Sequence, residues 1–99
     1  MKIKVIDSTK TVWSQETRQT DVKLDDGRIL KVRQMEDDNG TESYFYIEGE
    51  TKNWTNSYEC EDEKLKSIID KIAWNIFQNV FDNKDEIIDL SEIEEPLAS

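Results

Sequence analysis

Hydrophobic positions change their period once along the chain, and this change divides the sequence into a strand-rich part and a helical part. In the first part, apolar residues alternate with polar ones, as at Val22, Leu24, Leu30 and Val32. Between residues 61 and 82 they recur instead at i, i+3, i+4 and i+7, the period of an amphipathic helix. The first pattern predicts half-buried strands, and the second predicts one long helix.

The strand-rich part consists of short alternating segments separated by turn residues, which is typical of an antiparallel meander. Asp25-Asp26-Gly27 and Asn39-Gly40 are hairpin turns in which glycine can adopt a positive φ. The sequence therefore predicts four to six strands, at residues 2–6, 20–24, 28–35, 43–48 and 52–58, with 11–14 as a further candidate.

The helical part has its apolar side chains on one face over five turns. Glu61, Asp62 and Glu63 occupy the first turn, where the positive end of the helix dipole favours carboxylates. A helix of this length is about 30 Å long and can cross one face of the sheet. The sequence therefore predicts a two-layer α+β fold, an antiparallel meander with one long amphipathic helix packed on one face.

The domain organisation follows from the same pattern. Residues 1–84 are expected to form a single α+β domain, because 99 residues suit one modest core. Residues 85–99 alternate apolar and acidic side chains and are expected to form an acidic C-terminal tail. A short strand, a short helix and a segment that folds only on binding a partner are all compatible with the tail's composition.

Charge is distributed unevenly along the chain. Charged residues make up 36% of the sequence and apolar residues 35%, so the core must be small. Residues 1–35 hold eight Lys/Arg and five Asp/Glu, a net charge of +3, whereas residues 36–99 hold five and eighteen, a net charge of −13. A surface with a total charge of −10 repels nucleic acids and anionic lipids and attracts basic protein surfaces.

The residue types used in ordinary catalysis are scarce. The chain has no histidine, which removes the commonest general base and the commonest transition-metal ligand. Its single cysteine, Cys60, cannot build a zinc site and stands between Glu59 and Glu61, which disfavour a thiolate. We therefore expect no cofactor, no metal and no enzymatic activity, with a slow carboxylate-based hydrolase as the least favoured option.

The expected location is the cytoplasm, either of the cell that makes the protein or of a host cell. The first residues alternate and lack the apolar core of a secretory signal. No apolar run approaches the roughly 20 residues that span a bilayer. A single cysteine also fits a reducing compartment.

The carboxylates are predicted to gather at the two ends of the sheet, because the meander would bring the start of the helix beside the 36–42 turn. The first group comprises Glu36, Asp37, Asp38, Glu42, Glu59, Glu61, Asp62 and Glu63. The second comprises Asp25, Asp26, Glu48, Glu50, Asp82, Asp85 and Glu86, with Asp89 following in the tail. Lys23, Lys31 and Arg33 would lie on the sheet between them. Like charges this dense repel, and a positively charged partner would relieve the repulsion.

Two aromatic residues of the predicted helix lie off its main apolar stripe. Trp74 and Phe81 are seven residues apart and roughly 120–140° from the stripe that faces the sheet, at 100° per residue. Either the tail between Ile87 and Ile93 folds back over them, or they form an exposed aromatic strip at an interface. A homodimer through this strip is one form of the second alternative.

Two functional hypotheses follow. The leading hypothesis is a small inhibitor that blocks a basic, nucleic-acid-binding groove of another protein by steric and electrostatic mimicry. In size, acidity and sheet-plus-helix build, the chain resembles phage-encoded inhibitors of CRISPR nucleases or restriction enzymes, and also immunity proteins that neutralise nuclease toxins. The alternative is an accessory or chaperone-like module that binds a client through the aromatic strip. Trp74, Phe81, Asp85, Glu86 and Asp89 join the first acidic group as candidate contacts.

Overall fold

A computed structural model describes residues 2–12, 16–37, 40–76 and 80–93 and confirms the two-layer α+β fold. One six-stranded antiparallel sheet has the strand order β5-β4-β3-β2-β1-β6, and the helix lies on one face of it. The strands are β1 (Lys2–Val12), β2 (Glu16–Lys23), β3 (Ile29–Asp37), β4 (Gly40–Ile47), β5 (Thr55–Asn56) and β6 (Ile87–Asp89), and the helix is α1 (Glu63–Ile76). Short 3-10 turns span Ser57–Glu59 and Leu90–Glu92.

The core lies between α1 and the face of the sheet that turns toward it. Val5, Val22, Leu30 and Ile47 are opposite one another on four neighbouring strands, and all four are buried. The apolar stripe of α1 packs on this row, with Leu65, Ile68, Ile69, Ile72, Ala73 and Ile76 buried. Burying one side chain of this kind stabilises the fold by about 1.5–3 kcal/mol. The alternation of apolar residues in β2 and β3 therefore correctly predicted which face of the sheet packs on the helix.

The helix is shorter than the period predicted. The expected helix covered residues 61–82, whereas α1 covers Glu63–Ile76 and a turn follows at Val80 and Phe81. The start is fixed by Asp62, whose carboxylate accepts a hydrogen bond from the backbone N–H of Leu65 at 3.1 Å. At the other end, Val80 continues the apolar period but lies in a turn, and Phe81, which a helix would place off the apolar stripe, enters the core from the same turn.

The segment that follows the helix is attached to the free side of β1. Ile87–Asp89 forms β6 and pairs with Lys2–Lys4, and Ile88 and Leu90 belong to the core. Asp85 adopts a left-handed backbone with φ of 68° and donates its N–H to the carbonyl of Val5 at 2.7 Å. The expected alternatives for this segment included a short strand, and residues 87–92 indeed form a short strand followed by a 3-10 turn.

Two strands also differ in length from their predictions. The separate segments 2–6 and 11–14 fall on one long strand, β1, as far as Val12, and residues 13–14 lie outside the described residues. The strand predicted at 52–58 is reduced to Thr55–Asn56, because the Asn56 side chain accepts from the N–H of Tyr58 and starts a 3-10 turn. In the four described ranges, no helix has the length and apolar content needed to cross a membrane.

Candidate functional site

The sheet has two ends that carry different carboxylates. We call the end with the turns at residues 24–28 and 48–51 the Gly27 end. The opposite end, where β1 leads to β2 and β3 leads to β4, is the Gly40 end. The two ends are described separately below because the predicted site residues divide between them.

The helix begins at the Gly27 end, and the first predicted acidic group is therefore wrong as a single cluster. Asp62 and Lys64 line a small cavity of about 60 Å³ together with Asp26 and Arg28. Strand β5 is short and is followed by a 3-10 turn, and residues 60–62 then connect this turn to the start of α1 at the Gly27 end. As a result, Asp62 lies at the opposite end of the sheet from the 36–42 turn, and Glu61 and Glu63 adjoin it in the chain.

At the Gly27 end, Arg28 engages carboxylates from two separate turns. Its Nε lies 2.8 Å from Asp26 Oδ2, and its Nη1 lies 3.7 Å from Glu50 Oε2. The backbone N–H of Arg28 donates to Asp26 and lowers the pKa of that carboxyl, while Asp26 raises the pKa of Arg28. The structure therefore brings together Asp26 and Glu50 of the second predicted group, around one arginine.

The acidic residues after the helix make local contacts along β1 and β6. Asp85 lies 3.7 Å from the ammonium of Lys4, and Glu86 accepts from the amide of Asn83 at 3.0 Å. Asp89 caps the 3-10 turn by accepting from the Oγ and the N–H of Ser91, which lowers its pKa. The predicted Asp85, Glu86 and Asp89 thus hold this segment in place, and Asp82 is exposed nearby in the chain.

The Gly40 end carries carboxylates that face one another. Glu16 on β2 is directly opposite Glu36 on β3, and Glu42 on β4 is exposed on the other face. Glu36 and Glu42 were predicted as contacts, whereas Glu16 was not. Asp37 pairs with Gly40 through the backbone, its side chain is not described, and Asp38 lies outside the described residues.

These carboxylates lie past the last described turn of the helix. Arg18 Nη1 donates to the carbonyl of Ile76 at 3.3 Å, which marks the position of that turn on β2. Glu16 is two residues beyond Arg18, or about 7 Å further along the strand. Arg18 also contacts Glu16, with its Nε 2.9 Å from Oε1. Arg18 therefore lies next to the Glu16–Glu36 pair, on the side nearer to α1, and forms an ion pair with Glu16.

The predicted aromatic strip does not form. Phe81 is fully buried in the same core cluster as Ile88 and Leu90, so for Phe81 the alternative in which the tail covers it holds. Trp74 is half exposed and lines a shallow cavity of about 160 Å³ beside Ser43 and Asp70. The two side chains separate because Phe81 lies in a turn, where the 100° per residue of a helix no longer applies.

The face of the sheet that turns away from α1 holds an aromatic and cationic cluster. The guanidinium carbon of Arg33 lies 4.0 Å from the centre of the Trp54 ring, and the Tyr46 ring lies 5.8 Å from that of Trp54. Lys31 Nζ lies 6.0 Å from the Tyr46 ring. The cluster was not predicted, although the alternation that places Leu30 and Val32 inside also places Lys31 and Arg33 here.

The cysteine and the acidic side chains are the residues of this chain that could hold a metal ion. The described ranges contain no group of three or more cysteine and acidic side chains arranged to hold a metal ion. Cys60 is half-buried, with its Sγ 3.5 Å from the carbonyl oxygen of Asp62. No family model, no curated protein and no solved structure matches this chain, so the site is defined by its own geometry.

Proposed function

We propose that this protein is a small inhibitor that binds a positively charged groove of another protein through the Gly40 end. The contact residues are Glu16, Glu36 and Glu42. The partner is a nucleic-acid-binding enzyme, and the carboxylates occupy positions that phosphates otherwise take. The expected place of action is the cytoplasm, of the protein's own cell or of a host.

The observation that carries the proposal is the direct pairing of Glu16 with Glu36 on neighbouring strands. Side chains in such positions have Cβ atoms about 4.5–5.5 Å apart, and like charges there are destabilising. The repulsion between two unit charges at this distance is roughly 1 kcal/mol in water and larger near a protein surface. The ion pair of Glu16 with Arg18 offsets part of it. A cationic partner would convert this repulsion into attraction, which favours binding.

The position of these residues suits insertion into a groove. Strands β2 and β3 extend past the last described turn of α1, and Glu36 and Glu42 are exposed at this end of the sheet. The accessory-module alternative has less support, because it requires the aromatic strip and Phe81 is buried. Electrostatic contacts of this kind also accelerate association, which is useful to an inhibitor that competes with nucleic acid.

The proposal is tested with two charge-reversal variants of equal net charge. Immobilised wild type, Glu36→Lys/Glu42→Lys and the control Glu61→Lys/Glu92→Lys are each exposed to cell lysate at low and high salt, and bound proteins are identified by mass spectrometry. We expect a basic, nucleic-acid-binding protein to bind wild type and the control at low salt only, and to be lost from the Gly40-end variant.

A second measurement then tests the inhibitory step. The captured protein is purified and titrated with wild type in the presence of a labelled oligonucleotide, and displacement is followed by fluorescence anisotropy. Retention of the partner by Glu36→Lys/Glu42→Lys, or binding that does not weaken with salt, would contradict the proposed contact. Binding without displacement of the oligonucleotide would contradict the inhibitory mechanism alone.

A further inference from the structure

The face of the sheet that turns away from α1, which we call the open face, carries two adjacent rows of like charges. Lys4 on β1 is directly opposite Lys23 on β2. In the next row along the strands, Asp7 is directly opposite Asp21. The register shifts between Val5 and Asp7, and this irregularity keeps Asp7 on the open face beside Asp21.

Each row holds a like-charge pair that is only partly balanced within the chain, because Asp85 lies 3.7 Å from Lys4 and Lys31 is directly opposite Asp21. Like charges that face each other across two strands are destabilising, and here two such pairs follow one another. Lys4, Lys23 and Asp7 are exposed, so their side chains are accessible to another molecule. The pattern of one positive pair beside one negative pair is complementary to itself.

We infer that a second copy of this chain packs on the open face, with a two-fold axis that crosses the strands between the two charged rows. Such an axis places Lys23 of each copy over Asp21 of the other, and Lys4 over Asp7 in the same way. A two-fold interface requires a patch that is complementary to itself, and the adjacent rows provide one. The inference goes beyond the proposed function, because it concerns a different surface.

The area of the open face is sufficient for a dimer. The six strands contain 41 residues. At about 3.3 Å per residue along a strand and about 4.8 Å between strands, they give a face of roughly 650 Å². Contact over most of this area removes about 1,000–1,200 Å² from water across both copies, which reaches the lower limit of specific interfaces. Ile87, which is 67% exposed, and the half-buried Ile29 and Trp54 supply apolar surface.

The centre of the open face is already held in one arrangement. Arg33 stacks on Trp54 and donates from Nη2 to Gln19 Oε1 at 2.8 Å. Gln19 Nε2 in turn donates to Asp21 Oδ1 at 2.9 Å. Trp, Tyr and Arg are the residues that dominate binding energy at protein interfaces, and ordering them in advance lowers the entropy lost on association.

The charges of the molecule favour a second copy over nucleic acid at this face. Aromatic and cationic side chains on a sheet also suit single-stranded nucleic acid. However, Asp7 and Asp21 lie on the same face, and the net charge of the chain is −10. The net charge repels a phosphate backbone and a second copy alike. Asp7 and Asp21 distinguish the two, because they repel phosphates and are the groups that a second copy's lysines would contact.

The test uses two single charge reversals, Lys23→Asp and Asp21→Lys, and their mixture. Sedimentation equilibrium of wild type is expected to show a monomer–dimer equilibrium between micromolar and millimolar concentrations. Each variant alone should dimerise at least about tenfold more weakly, because like charges then meet across the axis. An equimolar mixture should recover the dimer, since the acidic side chain introduced at position 23 then faces the basic one introduced at position 21. At the other contact of that mixed dimer, the native Lys23 faces the native Asp21.

The alternative outcomes are distinct. Wild type that stays monomeric at every concentration, or a mixture that dimerises no better than the separate variants, would overturn the inference. Binding of a labelled single-stranded oligonucleotide that is lost in Lys31→Glu/Arg33→Glu would also overturn it, in favour of nucleic acid. Circular dichroism of each variant verifies the fold. None of these results depends on the Gly40 end, so they are separable from the proposed function.

Discussion

The two ends of the sheet are both acidic, but they differ in where an arginine lies relative to the carboxylates. At the Gly27 end, Arg28 lies between Asp26 and Glu50. At the Gly40 end, Glu16 and Glu36 face each other, and the arginine in contact with Glu16 lies on the inner side toward the helix. The two ends therefore differ in how an arginine is placed: Arg28 links carboxylates from two turns, whereas Arg18 contacts one member of a carboxylate pair.

The largest effect is expected from Arg18→Ala, which tests whether the Gly40 end depends on its arginine more than the Gly27 end does. The Arg18 side chain is only 14% exposed and contacts both Glu16 and the carbonyl of Ile76. Its removal takes a cation away from Glu16, which faces Glu36, and leaves a helix carbonyl without this donor. Losing hydrogen bonds between a charged group and its partners costs about 1.5–3 kcal/mol, so we expect a loss of roughly 2 kcal/mol in the free energy of unfolding by urea.

The matched control for that variant is Arg28→Ala at the Gly27 end. The Arg28 side chain is 37% exposed and its partners are exposed as well, so solvent screens their attraction. Arg28→Ala should therefore destabilise the protein much less than Arg18→Ala. Equal losses for the two variants would show that the Gly40 end has no special dependence on its arginine.

Much of the fold could be predicted because its determinants are local. Alternation in β2 and β3 and the 3.6-residue period of α1 identified inner residues such as Leu30, Ile69 and Ile72. The end of the helix could not be predicted, because Val80 has the spacing of a helical residue but packs on the core from a turn. An apolar residue of the core gives the same pattern in the sequence whether it lies on a helix or in a turn.

The candidate site was less predictable because it depends on register and on one short strand. The acidic cluster expected around the 36–42 turn assumed a strand as far as Tyr58, whereas β5 ends at Asn56. Glu16 gave no signal, because it lies in the positively charged first third of the sequence and meets Glu36 only through the pairing of β2 with β3. To predict a pairing of this kind, the register of the whole sheet must be known.

A smaller effect that would sharpen the comparison is expected from Glu36→Lys. This change turns the repulsion between Glu16 and Glu36 into attraction, and cross-strand pairs contribute about 0.2–1 kcal/mol. We therefore expect the protein to become more stable by up to about 1 kcal/mol while its binding to a basic partner weakens. Thermal unfolding measures the first effect, and Glu92→Lys is the control. A fall in stability would indicate that Glu36 has a structural role instead.

The smallest effect concerns the acid side of the stability profile, and Asp26→Asn tests it. The hydrogen bonds from Arg28 lower the pKa of Asp26 in the folded protein below its value in the unfolded chain. A carboxyl of this kind stabilises the fold above its unfolded pKa, near 4, and this contribution is lost as the pH falls through the lower folded pKa. Asp26→Asn should therefore be less stable than wild type at neutral pH, and the difference should shrink as the solution is made strongly acidic. Thermal unfolding from pH 7 downward measures this, with Asp25→Asn as the control in the same turn. A difference that stays constant with pH would contradict the lowered pKa of Asp26. It would also mean that Arg28 does not neutralise this carboxylate.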